Sequence, residues 1–356
     1  MLGRGVDQIL AHPGNPALRE PYVDDAAAKS GWPNVPTVRF RVPSTGAGPG
    51  VRALAILEDL APDVRLINLE TTITADGEFA DRKAIHYRMH PDNLPVLTAI
   101  EPDVCALANN HILDFGRRGL ADTLDALSSA GICGIGAGGD PDTAHRPPVV
   151  SAHGDHRVVI GSVATKSSGV PEWWAAHRNT PGVWLIWDPA AHAAADDVAA
   201  KILGHKRIGD VTIVSVHWGS NWGYSVGLSE IQFAHRLIDA GIEIVHGHSS
   251  HHPRPIEVYR GRSILYGCGD VIDDCEGIGG HESYRPDLRL LYLISFDPGR
   301  GDLAALRMVP LRVRRIRLER VARTDAEWLR ATIEHISRRF GTHVAAGSDD
   351  LLVVHP

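Results

Sequence analysis

The chain reads as an α/β protein with largely buried sheets. The runs Val64 to Leu69, Val104 to Ala108, Val158 to Val163 and Val211 to Val216 are apolar without polar alternation, as strands covered on both faces are. Segments of helical spacing lie between them, as in layered α/β folds. Polar residues stand at the exits of these strands: Glu70, Asn110 and His217.

The elements follow in order. After an irregular Pro/Gly-rich region to about residue 50, the first strand ends in Asn68-Leu69-Glu70 and the second in Asn109-Asn110-His111. Arg117 to Ala130 places Leu120, Leu124 and Leu127 on one helical face. An Ala-rich helix around 189 to 203 separates the third and fourth strands, and the fourth ends in His217-Trp218-Gly219. Ser229 to Ala240 opens with Ser-x-x-Gln, a capping-box pattern, and stops at Gly241. Ile242 to Val245 is a strand ending in His246-Gly247-His248, and Val258 to Leu265 around Arg260-Gly261 predicts a hairpin. Leu288 to Phe296 and Leu303 to Leu318 add strands, and a last helix starts at the capping box Thr324-Asp325-Ala326-Glu327. No repeat or linker divides the chain, so 1–356 is expected to be a single domain with a C-terminal strand/helix extension from about residue 316.

With 356 residues, 44% of them hydrophobic, the chain can bury a sizeable core. Lys plus Arg number 36 against 43 Asp plus Glu, and this net charge of −7 gives no general attraction to nucleic acid or to an anionic membrane. Cys105, Cys133, Cys268 and Cys275 form no CxxC pair and are expected to be buried free thiols. With no long apolar span and no signal-peptide order at the N-terminus, the expectation is a cytoplasmic protein without a membrane anchor.

In open α/β sheets ligands bind beyond the carboxyl ends of the strands, where loops converge. Four strands deliver Glu70, Asn110, His217 and His248 there. A carboxylate, an amide oxygen and imidazoles without thiolate suit Mn²⁺, Mg²⁺, Fe²⁺ or Zn²⁺, one or two ions. Taken singly, Glu70 also suits a cap or a salt bridge, Asn109-Asn110 a turn, and His217 a satisfied core position. His246, His248, His251 and His252 within seven residues carry the metal reading further. Trp218-Gly219-Ser220-Asn221-Trp222-Gly223-Tyr224, directly after a proposed ligand, is expected to form a wall of the substrate cleft through Asn221 and Trp222. Arg4 and Arg88 are either carboxylate-holding residues or surface charges.

The segments Ile67-Asn68-Leu69-Glu70, Ala106-Leu107-Ala108-Asn109-Asn110-His111 with Asp114 and Gly116, Val216-His217-Trp218-Gly219, and Val245-His246-Gly247-His248 leading into Pro255-Ile256-Glu257-Val258-Tyr259 resemble the CapA family. That family is named for poly-γ-glutamate capsule synthesis and shares the fold of calcineurin-like metallophosphoesterases. The resemblance covers roughly residues 1 to 315 and implies a two-sheet α/β/β/α sandwich with metal held between strand-end loops. It implies Glu70 as the bridging carboxylate, Asn110 as the Asn ligand, His111 as its catalytic partner, His217 as the single His ligand, and His248 with His251 as the ligands of the Gly-His motif. The family normally opens with a strand and a metal-binding Gly-Asp pair just before the equivalent of Met1, which leaves two alternatives, a start that lies upstream or one weakened metal position. Gly247-His248-Ser249-Ser250-His251-His252 also departs from the usual Gly-His-His-Pro-His, leaving open which imidazole is the second ligand.

Three functions fit. The preferred one is acid–base chemistry on a peptide at a metal-polarised carbonyl, giving Cα epimerisation, because the Ser-Ser-containing histidine loop is similar to that of CapA-like lasso-peptide epimerases. His111 and His281, the latter in Gly279-Gly280-His281-Glu282, are the candidate acid–base pair, a solvent-facing loop being the alternative for His281. The second is hydrolysis of an amide or phosphate ester, and the third a non-catalytic capsule-assembly component that binds polyglutamate.

Overall fold

The computed structural model describes residues 1–21, 23–29, 51–274, 280–297, 299, 301–314 and 316–355. A seven-stranded sheet carries the parallel strands Arg157–Thr165, Val211–His217, Ile244–His248 and Arg262–Leu265 in adjacent positions. Leu185–Ile186 joins one edge and Ile256–Tyr259 the other, and Val149–Ser151 pairs antiparallel with Arg157–Thr165. Each residue from Val158 to Thr165 is buried, as expected of a strand covered on both faces. Val159 and Val163 face the helices His192–Leu203 and Leu228–Ala240 across a core with Val198, Ile202, Phe233 and Leu237. Val158 and Ile160 face Val104, Ala106 and Ile135 instead. Each such side chain, fully buried, contributes about 1.5–3 kcal/mol. Gly161 sits where a Cβ would come 2.4 Å from Ile202 Cδ1, so the missing side chain makes room for the helix residue packed against it.

A three-stranded parallel sheet, Leu66–Asn68, Val104–Ala106 and Cys133–Ile135, leads into the helix Gly116–Ser129 through the loop that follows Ala106. A five-stranded antiparallel sheet is built on Leu288–Asp297 and Asp302–Arg314. Its period-two pattern divides the two faces. Leu288, Leu290, Leu306 and Met308 pack on Leu329 and Ile333 of the helix Arg323–Ser337, together with Ile256 and Leu265 of the larger sheet. Val309, Leu311 and Val313 pack on Ile56 of the helix Val51–Leu60. The C-terminal strands His343–Ala346 and Leu352–His355 extend this sheet through Leu306↔Val354.

Several local expectations need correction. The helix Leu228–Ala240 is closed at its start by the Gly227 N–H donating to the Glu230 carboxylate at 2.7 Å, and Ser229 lies inside the first turn. The last helix begins at Arg323 with no side-chain cap, because Asp325 is held by Arg285 at 3.0 Å and by Arg312 at 2.7 Å, and Thr324 lies within the helix. Leu303 to Leu318 is two strands, Asp302–Arg314 and Arg317–Arg320. Cys105 is a buried free thiol as expected, but Cys133 is exposed because it starts a short strand at the surface, and Cys268 is half-buried. Cys275 and Gly279 lie outside the described residues. The hairpin does form, Ile256–Tyr259 with Arg262–Leu265, turning at Arg260 (φ 51°) and Gly261 (φ 74°). Among the described residues no helix is long and apolar enough to cross a membrane.

Candidate metal centre

Parallel pairing builds the site. Val211–His217 and Ile244–His248 run in register so that His217 lies directly opposite His248, and the smaller sheet aligns Asn68 with Ala106, bringing Glu70 and Asn110 out at the same end. Asn109 joins the two exits of the smaller sheet. Its Nδ2 donates to Asn68 Oδ1 (3.1 Å) and to the Leu69 carbonyl (2.9 Å), while its Oδ1 accepts the His111 N–H at 3.0 Å. Asn109 thus supplies the turn chemistry and leaves the Asn110 amide to the site, where Asn110 Oδ1 lies 3.2 Å from His217 Nε2.

His217 is fully buried, and its Nδ1 lies 2.9 Å from His248 Nδ1. His248 Nε2 is 2.9 Å from Ser215 Oγ, whose other imidazole neighbour is His246 at 3.0 Å. Burial pushes His217 and His248 well below the ordinary imidazole range, and His246 down to about 4. They are neutral nitrogen donors at physiological pH.

Glu70 accepts from Asn68 Nδ2 at 2.7 Å, and its other oxygen lies 3.9 Å from His111 Nε2. Burial pushes its carboxyl upward; the charge on His251 lowers it and that on Asp270 raises it. His111 Nδ1 sits 2.6 Å from Asp114 Oδ2 and 3.0 Å from Lys83 Nζ, and the ring meets Tyr87 edge-on at 4.7 Å. Burial takes His111 down to about 4. Burial also pushes Asp114 upward, but His111 and Lys83 overcome that and hold it below the usual carboxylate range. Lys83 additionally donates to the Asn110 carbonyl and to Asp114.

On the far side, His251 Nδ1 lies 2.8 Å from Asp270 Oδ2, and the ligand atoms of His251, Asp270 and Asp273 fall within 4.8 Å of one another. Burial opposes a charge on His251, yet Asp270 lifts it to about 9. Asp273 is bound by the buried Arg289 at 2.8 Å. The donor chemistry fits a hard or borderline divalent ion: carboxylates, an amide oxygen and neutral imidazoles converge, without thiolate, around a buried Glu70 whose charge burial disfavours.

Trp222 is half-buried beside this cluster, its ring 5.6 Å from His251, whose N–H donates to the Asn221 carbonyl at 3.0 Å. Its neighbour Trp218 is fully buried and packs on Tyr266 and Phe233. His281 stacks flat on Trp222 at 4.0 Å and 5°. The ring contacts of His281 among the described residues are with Trp222 and Tyr284, and none is with His111. His281 belongs to this aromatic shelf. Arg4 departs from expectation. It is buried, with Nη1 donating to Tyr87 Oη (2.9 Å) and Nη2 paired with Glu20 (2.7 Å), so both terminal nitrogens are engaged within the protein. Arg88 lies over the Phe115 ring at 4.4 Å and donates to the Asn15 carbonyl at 3.1 Å, lining a separate cavity with Phe79 and His86.

The sequence reading passed over Lys83, Asp270 and Asp273. Asp270 had a legible signal, since it follows Gly269 just after Arg262–Leu265, one more strand exit. Lys83 lies in a loop with no pattern to mark it.

The model of the bacterial capsule synthesis protein PGA_cap matches residues 1–275. The chain belongs to that family. Its fold is accordingly the metallophosphoesterase-like one, and the CapA resemblance holds. A probable polyglutamine synthesis accessory protein of Mycobacterium tuberculosis strain H37Rv is 63% identical over 356 residues, 100% of this chain and 94% of that protein. The PGA biosynthesis protein CapA of Bacillus subtilis strain 168 is 31% identical over 58% of this chain and 52% of its own length. The capsule biosynthesis protein CapA of Bacillus anthracis is 25% identical over 54% and 45% respectively.

Proposed function

We propose that this PGA_cap family member is a divalent-metal-dependent enzyme that hydrolyses amide bonds in a polymer of glutamate or glutamine units, with His111 as its acid–base group. The observation that carries the reading is one imidazole fixed beside the donor set: His111 Nδ1 is held by Asp114 at 2.6 Å while Nε2 points toward Glu70 at 3.9 Å. The substrate class comes from the names of the relatives in M. tuberculosis and B. subtilis.

Glu70, Asn110, His217 and His251 would hold the ion, which when bound polarises a carbonyl and makes an attacking water more acidic. Asp114 fixes the tautomer of His111 with the proton on Nδ1, leaving the Nε2 lone pair toward the donors. Burial keeps His111 neutral, so it begins as a base, takes the proton from water and returns it to the departing amide nitrogen. Lys83 holds the Asn110 carbonyl and so fixes the turn that carries both residues. Trp222, with the His281 ring stacked on it, would form an aromatic wall for the substrate chain next to His251.

The stacking of His281 on Trp222 favours a second reading, Cα epimerisation of a peptide, in which His281 would serve from the shelf side. Incubation of enzyme, metal and γ-linked or α-linked glutamate oligomers in D₂O separates the two. Hydrolysis predicts shorter oligomers and no deuterium at Cα; epimerisation predicts one added mass unit at one Cα without cleavage. Binding of the oligomer with neither change would refute both and leave a non-catalytic capsule-assembly role.

A further inference from the structure

The end of the strand Ile244–His248 and the loop after it carry three buried imidazoles, His248, His251 and His252, and hydrogen bonding separates them. The Gly223 N–H donates to His252 Nε2 at 3.0 Å, so that nitrogen is an acceptor, and Nδ1 must then carry the proton that faces the Pro253 carbonyl at 3.0 Å. Both nitrogens of His252 are used, and its ring is stacked on Tyr284 at 4.5 Å. His248 is engaged at Nδ1 by His217 and at Nε2 by Ser215, both at 2.9 Å, whereas His217 Nε2 faces only Asn110, itself a member of the donor set, at 3.2 Å. His251 differs. Its Nδ1 meets Asp270 Oδ2 at 2.8 Å, and among the described residues no hydrogen bond engages its Nε2.

A carboxylate only accepts, so Asp270 fixes a proton on His251 Nδ1, and Nε2 is the nitrogen on which a cation would replace a proton. The placement of Asp270 is itself secured by backbone. Cys268 N–H donates to the Gly247 carbonyl at 3.0 Å, Arg254 N–H to the Gly267 carbonyl at 2.8 Å, and Pro253 bridges Cys268. Gly269 (φ 70°) turns the chain where a Cβ would come 3.0 Å from the His252 backbone, so only glycine lets the segment lie this close to the histidine loop. Arg289 pairs with the adjacent Asp273 at 2.8 Å, and Asp273 in turn hydrogen-bonds Asp270 beside His251.

We infer that Asp270 is the positioning residue that selects His251, through Nε2, as the imidazole this loop presents to a divalent cation. The inference rests on the metal reading above and adds to it a carboxylate–imidazole pair outside the family motifs. A carboxylate behind a ligating imidazole fixes its orientation and raises its basicity, and its loss typically costs about 10–100-fold in metal affinity.

The test uses the full chain, stripped with chelator and titrated with Zn²⁺ alone against a chromogenic chelator, with no substrate present. Asp270→Asn, which keeps the size and an acceptor oxygen, is expected to weaken Zn²⁺ by about 10-fold and Asp270→Leu by about 100-fold, whereas His252→Phe leaves it unchanged. Nitrogen-15 NMR of the wild-type Zn²⁺ protein, which needs no variant to fold, should report His251 protonated at Nδ1 and bound at Nε2. Wild-type affinity in both Asp270 variants, or zinc at His251 Nδ1 or on His252, overturns the inference while the metal reading stands. Absence of Zn²⁺ binding by the wild type overturns both.

Discussion

Arg254 is the residue whose loss should say most about how the aromatic shelf is held. Its two terminal nitrogens grip Glu230 at 3.0 and 3.1 Å, and they also reach the Tyr266 carbonyl (3.4 Å) and the Ser225 carbonyl. The side chains are 3% and 10% exposed, so the pair is buried and ties the segment 219–227, which carries Trp222, to the histidine loop. Arg254→Met strands Glu230 in that interior, and breaking one side of a buried pair costs about 3–5 kcal/mol. For 356 residues at about 2.1 cal/mol/K per residue, a loss of about 4 kcal/mol lowers Tm by about 5 °C. The double variant Arg254→Met/Glu230→Met removes both charges and should recover most of that loss, since apolar replacements of whole buried pairs are often neutral. Urea melts of the wild type, both single variants and the double variant close the thermodynamic cycle. A single-variant loss of about 1 kcal/mol or less, as for an exposed pair, would refute the reasoning. So would a double variant as unstable as the sum of the singles.

His252, buried and taken down to about 4 from 6.5, is neutral in the folded chain while the unfolded chain protonates below about 6.5. Stability should therefore fall as pH drops from 6.5 to 4, by up to about 3 kcal/mol from this residue, and melts of His252→Phe should be flatter over that window; parallel slopes would contradict it. Lys83→Met leaves the fully buried Asp114 without its cation and should cost about 3 kcal/mol in chelator-treated protein, measured by the same melts, whereas an unchanged midpoint would mean that the lysine only lies nearby. Gly161→Val places side-chain carbons against Ile202 and should cost about 1–3 kcal/mol by overpacking, and an unaltered Tm would show that the helix can move away freely.

Much of this arrangement was legible in the chain because it depends on period and punctuation. The continuous apolar run around Val158 to Val163 announced a strand buried on both faces, and Asn110, His217 and His248 stood where such strands end. What could not be read were relations between distant segments. Nothing adjacent to Arg4 says that Glu20 and Tyr87 close around it, and nothing near His281 says that Trp222 takes its ring. The capping box at Ser229 failed because Glu230 accepts the Gly227 N–H, one half of that motif, two residues earlier, where the chain leaves the Trp222 loop. Asp270 went unread although its position obeys the strand-exit rule, because the rule was applied to the histidines and not to every polar residue after a strand.

The claim on which the account depends most is that Glu70, Asn110, His217 and His251 hold a divalent ion at the converging strand ends. Elemental mass spectrometry of protein stripped, reloaded with Mn²⁺ or Zn²⁺ and desalted tests it directly, on the wild type beside Glu70→Gln and His217→Ala. The account predicts about one or two ions per wild-type chain and a clear loss in each variant, with far-UV circular dichroism unchanged. Equal, stoichiometric metal in all three proteins would contradict it, because the ion would then be held elsewhere.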